Sequence, residues 1–497
     1  MNKPYHTMVF LLLVAILYTS LSIIVPCGSF RVWGIVIRIT KPLDLLASSE
    51  TKQVFNWVDS LQSPAYKQSD TIPTALPVNV DSIFTVVEPI KKEKIELPKT
   101  TPRSIVEINT LPFEMPTGKN PLSSFVGALS NLDDRNDIVR VLHYGDSQIE
   151  GDRITGQLRV ALQEKFGGKG LGLIPIWNTE YLPYGLKVSF SEQTKVNSTV
   201  NAKPTQKPDC VLGSIAEVYP SNSYREIISI RVNSKQIFHT LTIISGNSDS
   251  SYVFKIIVDG TDTLNEKVLP GSKVNLLAVN LPGSFERVSI FARNPATVKL
   301  YGLLAESGSG VSVSNIPLRG TSGNFFARFD SQVASEIYKM LNVRLVIMQF
   351  GINVVPSNLT SYAYYQKLME QQIRAVKRFA PQTEILVVGV TDMANRFDGE
   401  FRSNPGVEKV LQAQRNAALS NGALFWDGYT AMGGKGSIIK WVNSKPPLAS
   451  KDYTHFTNYG AKHFGQKLAN GLLMAIGDIN LCNDSQPYVF QDSLNYE

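Results

Sequence analysis

Cysteine is scarce in this chain, with three in 497 residues, at Cys27, Cys210 and Cys482. An odd, widely separated set excludes a disulfide framework, and none of the pairs has the close spacing of a zinc site. A single Cys210–Cys482 bridge remains open, but free or buried thiols are the expectation. Histidine is also sparse, at five residues. No His/Cys cluster marks a structural metal, so no zinc is expected.

Concentrated charge is missing as well. The formal net charge is +7, yet the cations are scattered or mixed with acids, as in Lys91-Lys92-Glu93-Lys94. No basic stripe interleaved with aromatics is visible, so nucleic acid is not an expected partner. A phosphate-binding loop is absent too. Phe166-Gly167-Gly168-Lys169-Gly170-Leu171-Gly172 follows a helical pattern and lacks the Gly-Lys-Ser/Thr ending. It reads as a flexible turn.

The remaining composition, 43% hydrophobic and 18% charged, is that of an ordinary globular protein with length for two or three domains. One long apolar run, Thr7 to Val25, is sufficient to cross a bilayer as a helix. Residues 1–28 are therefore expected to be a signal sequence or membrane anchor. No small-x-small cleavage site follows, and Pro26 before Cys27 disfavours lipidation. Arg31, Arg38 and Lys41 follow the run while only Lys3 precedes it, which opposes the positive-inside rule for an exported body. An exported location, periplasmic or cell-surface with residues 7–25 as a candidate inner-membrane anchor, rests partly on the chemistry below.

Residues 29–118 are expected to be a linker or stalk, because prolines from Pro64 to Pro116 recur among Ser, Thr and Lys from about residue 47 onward. A short apolar run, 137–144, then ends at Gly145, and Ile154, Leu158, Leu162 and Phe166 recur at helical spacing. That pattern is strand, tight loop, helix. The alternation resumes with a helix through Phe329, Val333, Ile337 and Leu341, a buried strand over 343–350, a helix through Tyr364, Leu368 and Val376, and a strand over 385–390. A helix over 405–420, a strand over 423–426 and a last helix capped by Asn458 complete it. Alternation of this kind predicts an α/β domain, a parallel sheet with helices on both faces, split into 119–178 and 315–480. Between 179 and 314, β-rich runs separated by Asp-Gly, Pro-Gly and Asn-Pro turns predict an inserted β-sandwich. Its expected role is carbohydrate binding, substrate gating or scaffolding. Residues 481–497 are a C-terminal tail.

Chemistry concentrates in four short pieces. Ser147, in Gly145-Asp146-Ser147, lies between the predicted strand and helix, where a serine is exposed to an incoming acyl group once a base takes its proton. Asp452 precedes His455 by three residues, close enough for its carboxylate to accept the imidazole Nδ1 proton. Gly351-Ile352-Asn353 ends the 343–350 strand, with an amide that can donate into the crevice. Arg319-Gly320-Thr321-Ser322-Gly323-Asn324 precedes the next helix.

Alone, each piece is weak. In this order, they resemble the four signature blocks of the SGNH (GDSL-like) hydrolase family. The resemblance implies a flavodoxin-like three-layer fold, with Ser147 as nucleophile and the Asp452–His455 pair as base. It implies an oxyanion hole from the Ser147 and Gly323 N–H groups and the Asn353 amide, with Gly320 the alternative glycine. Val354 stands where family members often carry Asp. No metal or organic cofactor is needed for this chemistry.

An exported member with an inserted β-domain is similar to carbohydrate and peptidoglycan O-acetylesterases, so an acylated glycan is the expected substrate and the membrane, through the N-terminal segment, an expected partner. Transfer of the acyl group to another sugar, and noncatalytic glycan binding on the same scaffold, are the alternatives. Trp177, Tyr181 and Tyr184 are candidate sugar-contacting or packing aromatics, and His463 is expected to be solvated on the last helix. Nothing in the sequence sets an oligomeric state.

Overall fold

A computed structural model describes residues 29–32, 35–38 and, between 113 and 480, all but 117–121, 133–136, 175, 177–181, 183–185, 199–208, 233–237, 283–284 and 358. The apolar run 7–25, Cys27, most of the proline-containing segment, Trp177, Tyr181, Tyr184, Cys482 and the tail 481–497 lie outside the described residues. Among the described residues no helix is long and apolar enough to cross a membrane.

The chain forms two compact units, Met1–Arg103 and Ser104–Glu497. In the first, Ser29–Val32 and Ile35–Arg38 pair as an antiparallel hairpin, so the stretch expected as linker contains regular structure near its start. In the second, the last residues of that same stretch belong to the folded body. Glu114 bridges Phe425 through backbone hydrogen bonds, and the Phe113 ring stacks 6.3 Å from that of Trp426.

The second unit is built on a five-stranded parallel sheet whose strands are numbered here in chain order: β1 (Ile138–Gly145), β2 (Gly310–Pro317), β3 (Val343–Gln349), β4 (Glu384–Val388) and β5 (Leu424–Trp426). Their spatial order is β2-β1-β3-β4-β5, every neighbour parallel. This is the flavodoxin-like order. The strand sequence reverses direction between β1 and β3, which opens a crevice beyond their carboxyl ends. Strand β2, left within the β-rich stretch by its sequence pattern, follows the insertion directly and pairs with β1 along its whole length.

Helices cover both faces. On one side lie α1 (Ser123–Ser130), α2 (Thr155–Phe166) and, later in the chain, α7 (Ser437–Val442) and α8 (Asn458–Asn480), packed on Val139, Val141 and Leu345. On the other lie α3 (Ser331–Met340), α4 (Ala363–Phe379) and α5 (Gly406–Ser420), packed on Leu142, Tyr144 and Val346. A short α6 (Gly428–Met432) follows β5. Alternation along β1 sends Val139 and Val141 into one core and Leu142 and Tyr144 into the other. Phe464, Leu468 and Leu472 of α8 recur every fourth residue and are fully buried; each such side chain contributes roughly 1.5–3 kcal/mol.

The insertion is a β-sandwich. Its inner sheet, of strands 194–198, 214–218, 240–246, 274–280 and 298–307 with 169–174 beside them, sends Ile244, Tyr301 and Leu304 into the α3 side of the α/β core. The opposite face of that sheet meets the outer sheet, strands 186–190, 221–232, 252–258, 261–268 and 287–294, in a separate core. The glycine-rich stretch after α2 is not a flexible turn. Lys169–Ile174 is a strand antiparallel to 298–307, and the glycines are there for close approach: a Cβ on Gly170 would lie 2.3 Å from the Ala305 carbonyl oxygen.

Candidate active site

Strand β1 delivers the site. Gly145 closes it against β3, where a Cβ would sit 2.8 Å from the Ile149 side chain and 3.0 Å from the Gln349 carbonyl oxygen. Asp146 then donates its N–H to that carbonyl at 3.1 Å and caps the following turn, its carboxylate accepting from the Gln148 N–H at 3.1 Å. The turn Ser147–Asp152 ends in two residues of positive φ, Gly151 and Asp152. Asp152 is held there by a buried bidentate ion pair with Arg159, the second contact being 2.9 Å. Strain at a non-glycine residue is thus offset by a charge pair reaching back from α2.

The side chain so presented meets His455. Ser147 Oγ lies 2.8 Å from His455 Nε2, and His455 Nδ1 lies 2.7 Å from Asp452 Oδ2. With the Nδ1 proton donated to the carboxylate, the Nε2 lone pair faces the serine hydroxyl. Asp452 is itself oriented by accepting the N–H groups of Thr454 and His455 at 3.0 Å each. Burial works against its charge, but the hydrogen bonds and positive potential from His455 outweigh it and hold the carboxyl below its ordinary range.

Further residues around the turn position this pair. Gln148 Nε2 donates to the Thr454 carbonyl at 2.7 Å and Gln148 Oε1 accepts from the Phe456 N–H at 3.3 Å. Arg153 donates to the carbonyls of Phe456, at 2.7 Å, and Glu150, at 2.8 Å. On the far side of the loop, Tyr453, at φ 56°, stacks on Phe401 with centroids 3.7 Å apart. Phe401 belongs to the hairpin Ala394–Phe397/Glu400–Ser403, and Ala394 donates to the Tyr453 carbonyl. That hairpin has no signature in sequence beyond Asp398-Gly399 at its turn.

The other expected donors lie in loops that are wired to the same place. The Ile352 N–H favours the charged form of the Asp146 carboxyl, and the Asp146 N–H on the Gln349 carbonyl joins the β3 end to the serine turn. Asn353 Nδ2 donates to the Thr321 carbonyl at 3.1 Å, and Tyr365 Oη to the Ser322 carbonyl at 3.3 Å. Gly323 is buried at φ 82°, pressed on the Phe350 ring, and its N–H donates to Thr321 Oγ1 at 3.0 Å. Gly320 is exposed, with open space at its Cβ position. Both the Gly323 N–H and the Asn353 amide are therefore engaged with Thr321.

Val354, where an acid was noted as missing, is buried in the core. The loop is braced instead by Val354 N–H on the Gly351 carbonyl at 2.9 Å and by Gln414, which donates to the Phe350 carbonyl at 2.7 Å and accepts from the Val390 N–H at 2.8 Å.

Buried charge surrounds the serine. Asp146 is pushed up to about 7 by burial, which the Gln148 N–H, the charge of His455 and the Ile352 N–H only partly reverse. Burial also raises Glu150, opposed chiefly by Arg319, whose guanidinium lies 3.2 Å away. Behind the turn, His143 contacts Gln349 at 3.1 Å and Thr155 at 3.0 Å, and burial lowers it to about 3, so it stays neutral. His463 is exposed on α8, beside Trp441. Cys210 is a buried free thiol. Among the described residues no three His, Cys, Asp or Glu side chains cluster as a metal ion requires. A cleft of about 220 Å³ between Gly127, Asn131, Asp137 and Arg344 lies at the strands' amino ends, away from Ser147.

No protein-family model matches the chain, and no curated protein matches it. Among solved structures, a peptidoglycan O-acetylesterase aligns with a TM-score of 0.59 at 19% identity, over 73% of this chain and 99% of its own. The fold is SGNH-like. A family two carbohydrate esterase from Clostridium thermocellum, in complex with cellohexaose, aligns at TM-score 0.27 and 10% identity over 58% of this chain and 99% of its own. An acetyl xylan esterase aligns at 0.25 and 13% over 33% and 81%. The SGNH-like body and the sandwich together thus span the length of a known esterase, at an identity that speaks for fold alone.

Proposed function

We propose that this protein is a serine esterase that removes O-acetyl groups from a glycan, with Ser147, His455 and Asp452 as its catalytic residues. The observation that carries the reading is the continuous chain from Ser147 Oγ to His455 at 2.8 Å and on to Asp452 at 2.7 Å, set at the switch point of an SGNH-like sheet. Likeness to a peptidoglycan O-acetylesterase supports the substrate class.

In this mechanism Ser147 Oγ attacks the acetyl carbonyl as its proton passes to His455 Nε2, and the imidazolium is stabilised by Asp452. The tetrahedral oxyanion is met by the Ser147 N–H, the Gly323 N–H and the Asn353 amide. Each such donor is worth on the order of a hundredfold in rate. His455 then protonates the departing sugar oxygen. Water, deprotonated by His455, attacks the acetyl-serine, and acetate leaves with Ser147 restored.

The apolar run Thr7–Val25 supports an exported protein held at the cell envelope, where acylated glycans are found. The test is acetate release from a panel of O-acetylated glycans by the purified protein, with Ser147→Ala beside it. Acetate released by the parent and not by the variant is the expected result; equal release by both overturns the mechanism. Acetyl transferred to an added oligosaccharide in place of free acetate would change the acceptor and leave the site assignment standing.

A further inference from the structure

Among the described residues, the outer sheet of the sandwich is covered on one face only. Along strand 252–258, Tyr252, Phe254, Ile256 and Val258 point into the core, and along strand 287–294 Val288, Ile290 and Ala292 do so. The alternate positions face away, and there the register gathers cations. Lys187 lies directly opposite Arg231, and Arg231 opposite Arg287, across three neighbouring strands. Lys255 is on the next strand, and Arg293 and Lys267 flank Val253 from either side. Lys187, Arg231, Arg293 and Lys267 are exposed.

At these outward positions Glu226 pairs with Arg287 at 2.9 Å, and Asp262 stands opposite Ile257 on the edge strand. Like charges directly opposed on adjacent strands destabilise a sheet, and here cations outnumber carboxylates six to two. An anion lying across the strands would relieve that repulsion.

We infer that this face binds a carboxylate-bearing glycan chain, holding it while acetyl groups are removed at the Ser147 site. Neighbouring strands lie about 4.8 Å apart, comparable to the advance of one sugar along an extended chain, so successive strands can meet successive residues of such a polymer. Between the cations stand Ser189 and Ser229, opposite each other in register, whose hydroxyls suit sugar hydroxyls. Single-stranded nucleic acid fits less well, because it needs open aromatic platforms. The Tyr224 ring has Arg293 5.2 Å and Lys255 6.0 Å from its centroid.

The inference rests on the glycan reading of the substrate, and its test separates the two. Binding is measured by calorimetry with the full-length Ser147→Ala protein, using oligogalacturonate as probe, its neutral methyl ester as the uncharged counterpart and oligo-dT as the nucleic-acid arm. Oligogalacturonate is expected to bind, more weakly as salt rises, with at least tenfold loss of affinity in Lys187→Gln/Arg231→Gln/Lys267→Gln. The same charge change placed on the α/β body, Lys339→Gln/Lys367→Gln/Arg378→Gln, is expected to alter affinity less than twofold.

The triple substitution in the otherwise unaltered protein is expected to leave hydrolysis of an aryl acetate unchanged, which reports that it folds. Should it not fold, carbodiimide coupling of oligogalacturonate to the Ser147→Ala protein decides instead, with adducts expected at Lys187 or Lys267 by peptide mapping. Equal binding of the methyl ester, tighter binding of oligo-dT, undiminished binding by the triple variant, or adducts confined to other lysines would each overturn the proposal.

Discussion

Gln148 grips the backbone on both sides of His455. Its amide nitrogen donates to the Thr454 carbonyl at 2.7 Å and its amide oxygen accepts from the Phe456 N–H at 3.3 Å. The residue after the candidate nucleophile thereby sets where the candidate base stands. A carboxylate can accept but not donate, so Gln148→Glu loses the Thr454 bond and leaves that carbonyl facing a negative charge. Loss of roughly 1–2 kcal/mol of positioning is expected. For an aryl acetate, Gln148→Glu should lower kcat about tenfold or more with KM little changed, and steady-state kinetics reads this directly.

Asp452 is half exposed at its side chain, yet it supplies the acceptor for His455 Nδ1–H. Asp452→Asn keeps the shape and removes the charge that stabilises the imidazolium. A fall in kcat of about a hundredfold or more is expected, with circular dichroism and thermal midpoint close to those of the parent. An unchanged kcat would remove Asp452 from the mechanism.

Asp146 makes the protein's stability depend on pH. Its carboxyl is pushed up to about 7 in the folded protein, against about 4 in an unfolded chain. The folded state therefore binds more protons than the unfolded state between those values, and this residue's contribution to stability declines as pH rises from about 4 to 7. Asp146→Asn removes that titration while keeping an oxygen to accept from the Gln148 N–H. Urea midpoints at pH 5 and pH 7.5 should differ less in the variant than in the parent; an identical difference would contradict the assignment.

Phe401 braces the loop that carries Asp452 and His455 from the side opposite Gln148, through its stack on Tyr453. Removing the ring forfeits about 0.5–1.5 kcal/mol beyond its buried area. Phe401→Ala is expected to lower kcat several-fold, and Phe401→Tyr, which keeps a stacking ring, to restore it. Failure of the tyrosine to restore activity would point to a different role for the hairpin.

Gly310 begins the strand that returns the chain from the sandwich to the sheet. At φ 135°, a Cβ there would lie 2.1 Å from the Gly167 carbonyl carbon and 2.2 Å from the Gly168 nitrogen. Both are backbone atoms with no room to yield. Gly310→Ala should cost about 3 kcal/mol or more, whereas Gly308→Ala, at φ 68° with open space around it, should cost about 1–2 kcal/mol. Denaturant midpoints of the two variants are the comparison.

Local chemistry in the sequence determined a good deal. The apolar alternation of 138–145 and the four-residue spacing of Phe464, Leu468 and Leu472 specify a strand and a helix with short-range information alone. Asp452 and His455 are three residues apart, so their contact is a property of one turn. Ser147 and the Asn353 loop follow strands whose ends must meet at a switch point once the sheet is parallel. Tertiary structure decided the rest, because the deciding contacts join residues far apart in the chain. Strand β2 was hidden in a β-rich stretch, since burial on both faces cannot be read from a pattern that suits a sandwich equally well. Gln148 meets Thr454 across 306 residues, and Gln414 meets Phe350 across 64; neither glutamine has a neighbour in sequence that announces its partner. The row Lys187, Arg231, Arg287 looks scattered along the chain and becomes a single charged line only when three strands come into register.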